Sequence, residues 1–357
     1  KCEVEKMKKL NMNKTTRQNY LTYGLVIVAF VIIQIFMGAI PATLRGMLVP
    51  ICAYVIMAIS LNLTVGVLGE LSLGHAGFMS VGAFTGTTVA IMLQDVVPSG
   101  GLRLLIAVVV ATLFGALAGF LIGIPVLRLQ GDYLAIVTLA FGEIMKNIFG
   151  NLYLGIDETG LHATMSSAGL TLGAGGQMIV SGPRGATGIT KLSTFAMGFA
   201  LILFTLFVVL NLINSRTGRA IMATRDNRIA AESVGLSVTR YKLAVFVIAA
   251  FFAGCAGVLY GHSLANIKAA AFDYNMSIEI LVIVVLGGMG SVPGSVVSAI
   301  VLTVLPEALR EVADYRMLVY AVVLILVMQA TNNPAMKRFF GAACKSLTPK
   351  RKERAAL

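Results

Sequence analysis

The sequence predicts an all-α polytopic membrane protein of about ten transmembrane helices, with two inverted four-helix repeats and both termini inside. Three observations favour this fold class. Of the 357 residues, 57% are apolar and only 12% are charged, whereas a soluble domain is nearer half apolar and a quarter charged. Apolar runs of about 20 residues recur, long enough for a hydrocarbon core of about 30 Å. The runs do not alternate as the strands of a membrane barrel would. A soluble globular protein and a disordered chain are therefore excluded.

The apolar runs between polar breaks define ten candidate spans. The first follows six basic residues and resembles a secretory signal in outline, but its apolar core is longer than the roughly 7 to 15 residues of a signal. We therefore expect it to be an uncleaved first helix. The candidate spans lie at about 20–40, 47–69, 74–93, 102–124, 133–150, 193–213, 243–262, 275–290, 291–309 and 316–331.

The positive charge indicates the orientation. The net charge is +12, and 19 of the 28 Lys and Arg residues lie in 1–19, 214–242 and 331–357. The positive-inside rule places these three segments in the cytoplasm. An even number of predicted spans lies between any two of these segments, as their placement on the same side of the membrane requires. We thus predict a basic cytoplasmic N-terminus at 1–19, a transmembrane domain at 20–331 and a basic cytoplasmic tail at 332–357. The charge is an orientation signal and gives no reason to expect nucleic acid.

The segment 151–192 then lies outside the cytoplasm. It is long and rich in glycine, and a loop of this length is either an ordered functional element or a flexible linker. The residues alone leave these two alternatives open.

The orientation also predicts an inverted repeat, because spans two to five begin outside and spans seven to ten begin inside. Each block contains a stretch interrupted by glycine, at 66–77 and at 286–294. Broken helices at matching positions of inverted repeats are typical of a transport path near the bilayer midplane.

Polar residues within the spans are candidates for that path, since a charge at the bilayer centre costs about 2.5 to 3.5 kcal/mol. Several alternatives remain open. Glu143 and Lys146 could form a self-neutralising pair, Glu70 and His75 could lie at the cytoplasmic rim, Glu279 could be interfacial, and Asn62 could bond a neighbouring helix. The candidate path residues are Asn62, Glu70, Ser72, His75, Asp132, Thr138, Glu143, Glu279, Gly287 and Gly288.

The segment 214–242 mixes charged and apolar residues and predicts a short amphipathic helix along the membrane. Such a helix is either a surface that a cytoplasmic partner binds or an interfacial helix on anionic lipid. The sequence has no phosphate-binding Gly-rich loop, no nucleophile elbow and no metal-ligand spacing. We therefore expect no enzymatic activity, cofactor or metal in this chain, and any ATP would be bound by another polypeptide.

Four stretches together resemble a known family: LGELSLGHAGF at 68–78, RLQGDYLAIVTLAFGEI at 128–144, and the stretches 225–261 and 281–300. They are similar to the LivM-type permease of bacterial branched-chain amino acid ABC importers. The resemblance implies a ten-helix bundle paired with a sister permease of the LivH type in the cytoplasmic (inner) membrane. Two cytoplasmic ATPase subunits and a periplasmic or extracellular amino-acid-binding protein would complete the importer, which carries leucine, isoleucine and valine.

The same resemblance assigns ATPase coupling to part of the segment 214–242. Its EAA-like residues are Arg225, Asp226, Ala230, Ala231, Glu232 and Gly235. Two rival functions remain. One is an ion-coupled secondary transporter of small amino acids or amides, in which Glu70, Glu143 or Glu279 relays a proton. The other is a membrane scaffold that transports nothing.

Overall fold

The computed structural model describes residues 14–38, 41–94, 96–127, 129, 131–157, 160–166, 176–309, 321, 322 and 325. The predicted span 316–331, apart from three residues, lies outside them, as do most of both basic termini. The chain forms one compact unit up to Val301 and a second from Leu302. Of the second unit, the structure describes the last helical residues through Ala308, then residue 309 and the three isolated positions.

The described chain is mostly helical, and each of the first nine predicted spans coincides with a helix. Six stretches are long and apolar enough to cross a membrane, namely Ala42–Leu68, Gly100–Val126, Tyr133–Asn151, Phe195–Asn214, Val238–Ser263 and Ala269–Gly287. The chain is thus a multi-pass α-helical membrane protein. The helices are α1 (Lys14–Phe36), α2 (Ala42–Asn62), α3 (His75–Met92), α4 (Gly100–Val126), α5 (Asp132–Asn151), α6 (Phe195–Asn214), α7 (Arg216–Asp226), α8 (Arg228–Ser233), α9 (Val238–Ser263), α10 (Tyr274–Gly287) and α11 (Val292–Ala308).

Helix α9 lies at the centre and packs against α2, α3 and α4. Glycines allow this close approach, because a Cβ on Gly82 would clash with the backbone of Gly254, and a Cβ on Gly119 would clash with Ala250. Small residues let membrane helices approach closely and gain dispersion contacts where no hydrophobic driving force exists. The core of the unit is accordingly built around the middle of α9.

The segment 151–192 contains ordered structure that the all-α prediction lacked. Strands β1 (Tyr153–Asp157), β2 (Gly160–Thr164) and β3 (Gln177–Ser181) form an antiparallel sheet in the order β2-β1-β3. Asp157 Oδ1 accepts a hydrogen bond from the Gly160 N–H at the β1–β2 turn, where Gly160 has a φ of 130°. In its described parts, this segment is therefore an ordered element, while 158–159 and 167–175 lie outside the described residues.

The segment 214–242, in which a short amphipathic helix was predicted, contains two consecutive short helices. The segment contains the end of α6, the helices α7 and α8, and the start of α9. Asn227 separates α7 from α8 because its backbone is extended (φ −155°) and its side chain accepts a hydrogen bond from the Ala230 N–H. A side-chain acceptor at this position is the usual way in which a new helix begins.

Candidate functional site

The first glycine-interrupted stretch is a true break between two helices. Helix α2 continues into a π-helical turn, Leu63–Leu68, and ends at Gly69 with a φ of 81°. Residues 69–74 are not helical, and α3 begins at His75. A π-helical turn is uncommon and often marks a functional position. The break lies where the sequence predicted it.

Side chains of two helices, α5 and α10, bond the backbone at the end of the non-helical stretch and in the first turn of α3. The Leu73 N–H donates to Thr138 Oγ1 of α5 at 3.0 Å, and the Ala76 N–H donates to Ser277 Oγ of α10 at 3.2 Å. Backbone groups freed from a helix must find such partners inside a membrane. Thr138 was a predicted path residue. Ser277 was missed, although a small polar residue on an apolar helix is a known signal for an interhelical bond.

The second interrupted stretch meets the first. Gly288 and Gly290 have φ values of 88° and 84°, in the left-handed region that glycine adopts without strain. The Gly290 N–H donates to Asn62 Oδ1 at 2.7 Å. A Cβ on Gly66 would clash with both of these partners. Asn62, for which a bond to a neighbouring helix was one alternative, thus bonds the loop after α10 and joins the end of α2 to the second interrupted stretch.

Two basic side chains reach the first break from the predicted cytoplasmic segment. Arg225 Nη1 of α7 donates to the Gly66 carbonyl oxygen at 2.9 Å, and Lys242 of α9 forms an ion pair with Glu70. The Lys242 side chain is only 9% exposed. A cation is favourable at a helix C-terminus, where carbonyl groups lack partners. The Arg225 guanidinium is thus directed toward the bundle, and the pairing of Lys242 was missed.

The other predicted coupling residues lie on or next to α8. Glu232 accepts a hydrogen bond from Arg228 Nε at 2.9 Å, and Ala231 is buried. Asp226 accepts from Arg225 at 2.9 Å, Ala230 is exposed, and Gly235 has a φ of 84°. Two apolar side chains of this region, Ile229 and Val234, are 80% and 75% exposed. Their exposure leaves an apolar patch beside the charged pair.

Two of the remaining path candidates, Ser72 and His75, lie side by side. Ser72 Oγ is 3.3 Å from His75 Nδ1. Glu143 pairs with Lys146, as one alternative predicted, and accepts a hydrogen bond from the Tyr274 N–H at 3.1 Å. Glu279 is partly buried in α10. Asp132 is the first residue of α5, and its side chain is not among those described.

The region around the first break also contains buried nitrogen atoms without a hydrogen-bond partner. Within the part of the chain that the structure describes, Asn62 Nδ2 and His75 Nε2 are fully buried and have no hydrogen-bond partner. Such atoms are costly unless a ligand or water satisfies them. The described residues contain no cluster of three or more His, Cys, Asp or Glu side chains that could hold a metal ion. The site as described therefore consists of two helix breaks held by hydrogen bonds and an ion pair, with two buried nitrogens that have no partner among the described residues.

Comparisons with known proteins agree with this geometry. A family model described as "Branched-chain amino acid transport system / permease component" matches residues 43–328. The chain is 34% identical over 309 residues to the high-affinity branched-chain amino acid transport system permease protein LivM of Salmonella typhimurium, and 36% identical to LivM of Escherichia coli K12. These matches cover 77% of the chain and 65% of each relative.

A second kind of permease is also similar. The chain is 23% identical to the high-affinity branched-chain amino acid transport system permease protein LivH of Escherichia coli K12 over 279 residues, which cover 77% of the chain and 88% of LivH. The chain spans about 65% of the length of the two LivM relatives. No solved structure matches the chain at a comparable level of significance.

Proposed function

Because the chain belongs to the branched-chain amino acid transport permease family, we propose that it forms half of the translocation path of an ATP-driven importer for leucine, isoleucine and valine. Its partners are a sister LivH-type permease, two cytoplasmic ATPase subunits and an extracytoplasmic amino-acid-binding protein. The chain lies in a bacterial cytoplasmic membrane with ten spans, two inverted repeats and both termini inside. It hydrolyses nothing itself, since the ATPase subunits bind and cleave ATP.

One observation carries this proposal. The segment 214–242 is hydrogen-bonded to the first interrupted stretch, and the end of α2 next to that stretch is hydrogen-bonded to the second. Arg225 of α7 holds the Gly66 carbonyl, and Asn62, one turn earlier, holds the backbone of Gly290. A movement of α7 is therefore passed to both stretches through hydrogen bonds. An importer driven by ATPase subunits needs such a connection, because its energy source is outside the bilayer.

The mechanism follows from these contacts. The ATPase subunits bind α8 and its exposed apolar patch, Ile229 and Val234, and their closure moves α7. Arg225 transmits this movement to the π-helical turn, and the Asn62 bond transmits it to the loop at Gly290. The two breaks then open alternately to either side of the membrane. The nitrogens of Asn62 and His75 that have no partner in the described structure are available to polar groups of the cargo as it passes the breaks.

The contacts of the acidic residues argue against proton relay. Glu70 is paired with Lys242, and Glu143 is paired with Lys146. Each of these carboxylates would have to leave its ion pair before it could carry a proton, and breaking such a pair is costly when its members are shielded from water. Only Glu279 of the three proposed relay residues has no lysine beside it in the described structure.

The test is ATP-driven leucine uptake by the reconstituted complex carrying Arg225→Ala. We expect uptake to fall about tenfold or more, since a hydrogen bond to a charged group is worth about 1.5 to 3 kcal/mol. The ATPase subunits should still co-purify, because the exposed face of α8 is unchanged. Arg240→Ala removes a cation from an exposed position near α9's start and serves as the matched control.

Two results would contradict the proposal. Uptake by the chain alone in vesicles, abolished when the proton gradient is collapsed, would favour the secondary transporter. Unchanged uptake by Arg225→Ala in the complete complex would show that the α7 contact transmits nothing.

A further inference from the structure

A second buried polar cluster lies at the opposite end of α9, far from the residues discussed so far. Arg103 is in the first turn of α4 and is 7% exposed, and His262 is in the last turn of α9 and is 1% exposed. Lys242 and His262 are 20 residues apart on one continuous helix, which corresponds to about 30 Å. The cluster is thus separated from the Arg225 contact by roughly the thickness of a hydrocarbon core.

Arg103 is a buried cation with unfilled donor capacity. Its Nη2 donates to Thr190 Oγ1 at 3.2 Å, whereas its Nε is buried without a partner among the described residues. None of the ion pairs found in that part of the chain includes Arg103. Burying a guanidinium is costly unless it is paired with an anion. The Arg103 side chain is therefore arranged for an anionic group that this part of the chain does not supply.

His262 offers the complementary function. Its Nδ1 lies 3.0 Å from the Val258 carbonyl oxygen, and a carbonyl oxygen can only accept, so Nδ1 carries the hydrogen. In the neutral ring, Nε2 then presents a lone pair, and Nε2 is buried without a partner in the described structure. A lone pair in this position accepts a hydrogen bond from a cationic N–H.

The two side chains belong to one locality. Leu104, next to Arg103, and Val258, one turn before His262, are members of the same apolar cluster. Ser193 donates to the Leu259 carbonyl oxygen, which ties the segment after Thr190 to α9. Thr190 is exposed, so the locality reaches the surface there.

From these observations we propose that Arg103 and His262 form a binding site for the backbone of a free α-amino acid. Arg103 binds the carboxylate, and His262 Nε2 accepts from the ammonium group. An α-amino acid carries these two groups on one carbon atom, and the structure leaves one donor and one acceptor of matching character buried and unpartnered. The inference rests on the proposed function and places its cargo at the end of the bundle opposite Arg225, where it first enters from the binding protein.

The first experiment measures binding to the purified permease–ATPase complex without the binding protein. L-leucine, leucinol, which lacks the carboxylate, and 4-methylpentanoate, which lacks the ammonium group, are compared by their effect on Tm at constant ionic strength. We expect leucine to raise the Tm of the wild-type complex and of the control Arg184→Gln, which removes a cation from an exposed position in the same segment. Leucine should not raise the Tm of Arg103→Gln.

His262→Phe separates the two ends of the ligand. It keeps an aromatic ring and removes the acceptor, so we expect the stabilisation by leucinol to disappear while that by 4-methylpentanoate remains. If Arg103→Gln fails to assemble, Arg103→Lys and His262→Phe replace it in the same measurements. The lysine keeps a positive charge at the buried position. Equal leucine stabilisation in all variants would overturn the inference, as would its absence in the wild type.

Uptake measurements keep this inference distinct from the proposed function. With binding protein and ATP present, Arg103→Gln should lose about tenfold or more of its leucine uptake while its ATPase subunits remain bound. If the wild-type complex takes up no leucine, the proposed function fails. If the wild type and Arg103→Gln take it up equally, only the amino acid site is wrong.

Discussion

The two ends of helix α9 both bury a cation, but only one of them supplies a counter-charge from the described chain. Near the start of α9, Lys242 is paired with Glu70. Near its end, Arg103 of α4 and His262 each have a buried nitrogen that is unpartnered in the described structure. The comparison shows that a buried charge can have either of two roles. A satisfied pair joins structural elements, whereas an unsatisfied donor and acceptor indicate a ligand.

Breaking the satisfied pair should have the largest effect on stability. We expect Lys242→Met to lower the free energy of unfolding by about 3 kcal/mol, because it leaves the Glu70 carboxylate partly buried without its partner. The double variant Glu70→Gln with Lys242→Met should recover most of this loss. Thermal unfolding of the purified protein measures the stability of the single and the double variant, and Arg240→Met, at an exposed position, is the control. A loss that is additive in the double variant would show that the pair is not coupled.

A smaller loss is expected where the two broken stretches touch. Gly66→Ala places a Cβ against Asn62 Oδ1 and the Gly290 backbone, and overpacking of this kind costs about 1 to 3 kcal/mol. Gly46→Ala in the same helix is the matched control, because a Cβ there meets nothing within 4 Å. Gly66→Ala should lower both the free energy of unfolding, measured by chemical denaturation, and the rate of leucine uptake. Gly46→Ala should change neither. Equal behaviour of the two would mean that the breaks are not in contact.

The smallest effect, with the opposite sign, is expected at the other end of α9. Arg103→Leu removes a buried cation that has no counter-charge in the described structure, and replacing such a charge with an apolar side chain is often neutral or stabilising. We expect the Tm without amino acid to stay unchanged or to rise, while leucine no longer raises it. A large fall in Tm would show that Arg103 has a structural partner and would remove the contrast between the two ends.

Much of the fold could be predicted because lipid constrains it so strongly. An apolar run of about 20 residues in a membrane must satisfy its backbone internally, so the helices α1 to α6 and α9 to α11 follow the hydropathy closely. The sheet was missed because its strands are short and mixed in character, with little apolar alternation. Asn227 carried a usable signal for the end of α7, since asparagine favours helix N-caps, but the amphipathic pattern continued across it.

The candidate site could be predicted only in outline. Glycine spacing located both breaks, and two of the path candidates, Asn62 and Thr138, bond residues around them. Lys242 and Arg225 were counted among the basic residues that indicate orientation, yet both side chains turn inward to the first break. No local pattern pairs Lys242 with Glu70, which lies 172 positions away. Arg103 was likewise not selected, because its burial depends on α9 and on the segment around Thr190.

The sequence by itself determined the membrane class, the positions of the helices and the breaks within them, because hydropathy and glycine act locally along the chain. The tertiary structure alone decided which groups are satisfied. A hydrogen bond or ion pair depends on two atoms meeting within about 3 Å, and the partners of Asn62, Arg225 and Lys242 come from distant parts of the chain. The same packing left Arg103 Nε and His262 Nε2 buried without partners in the described structure.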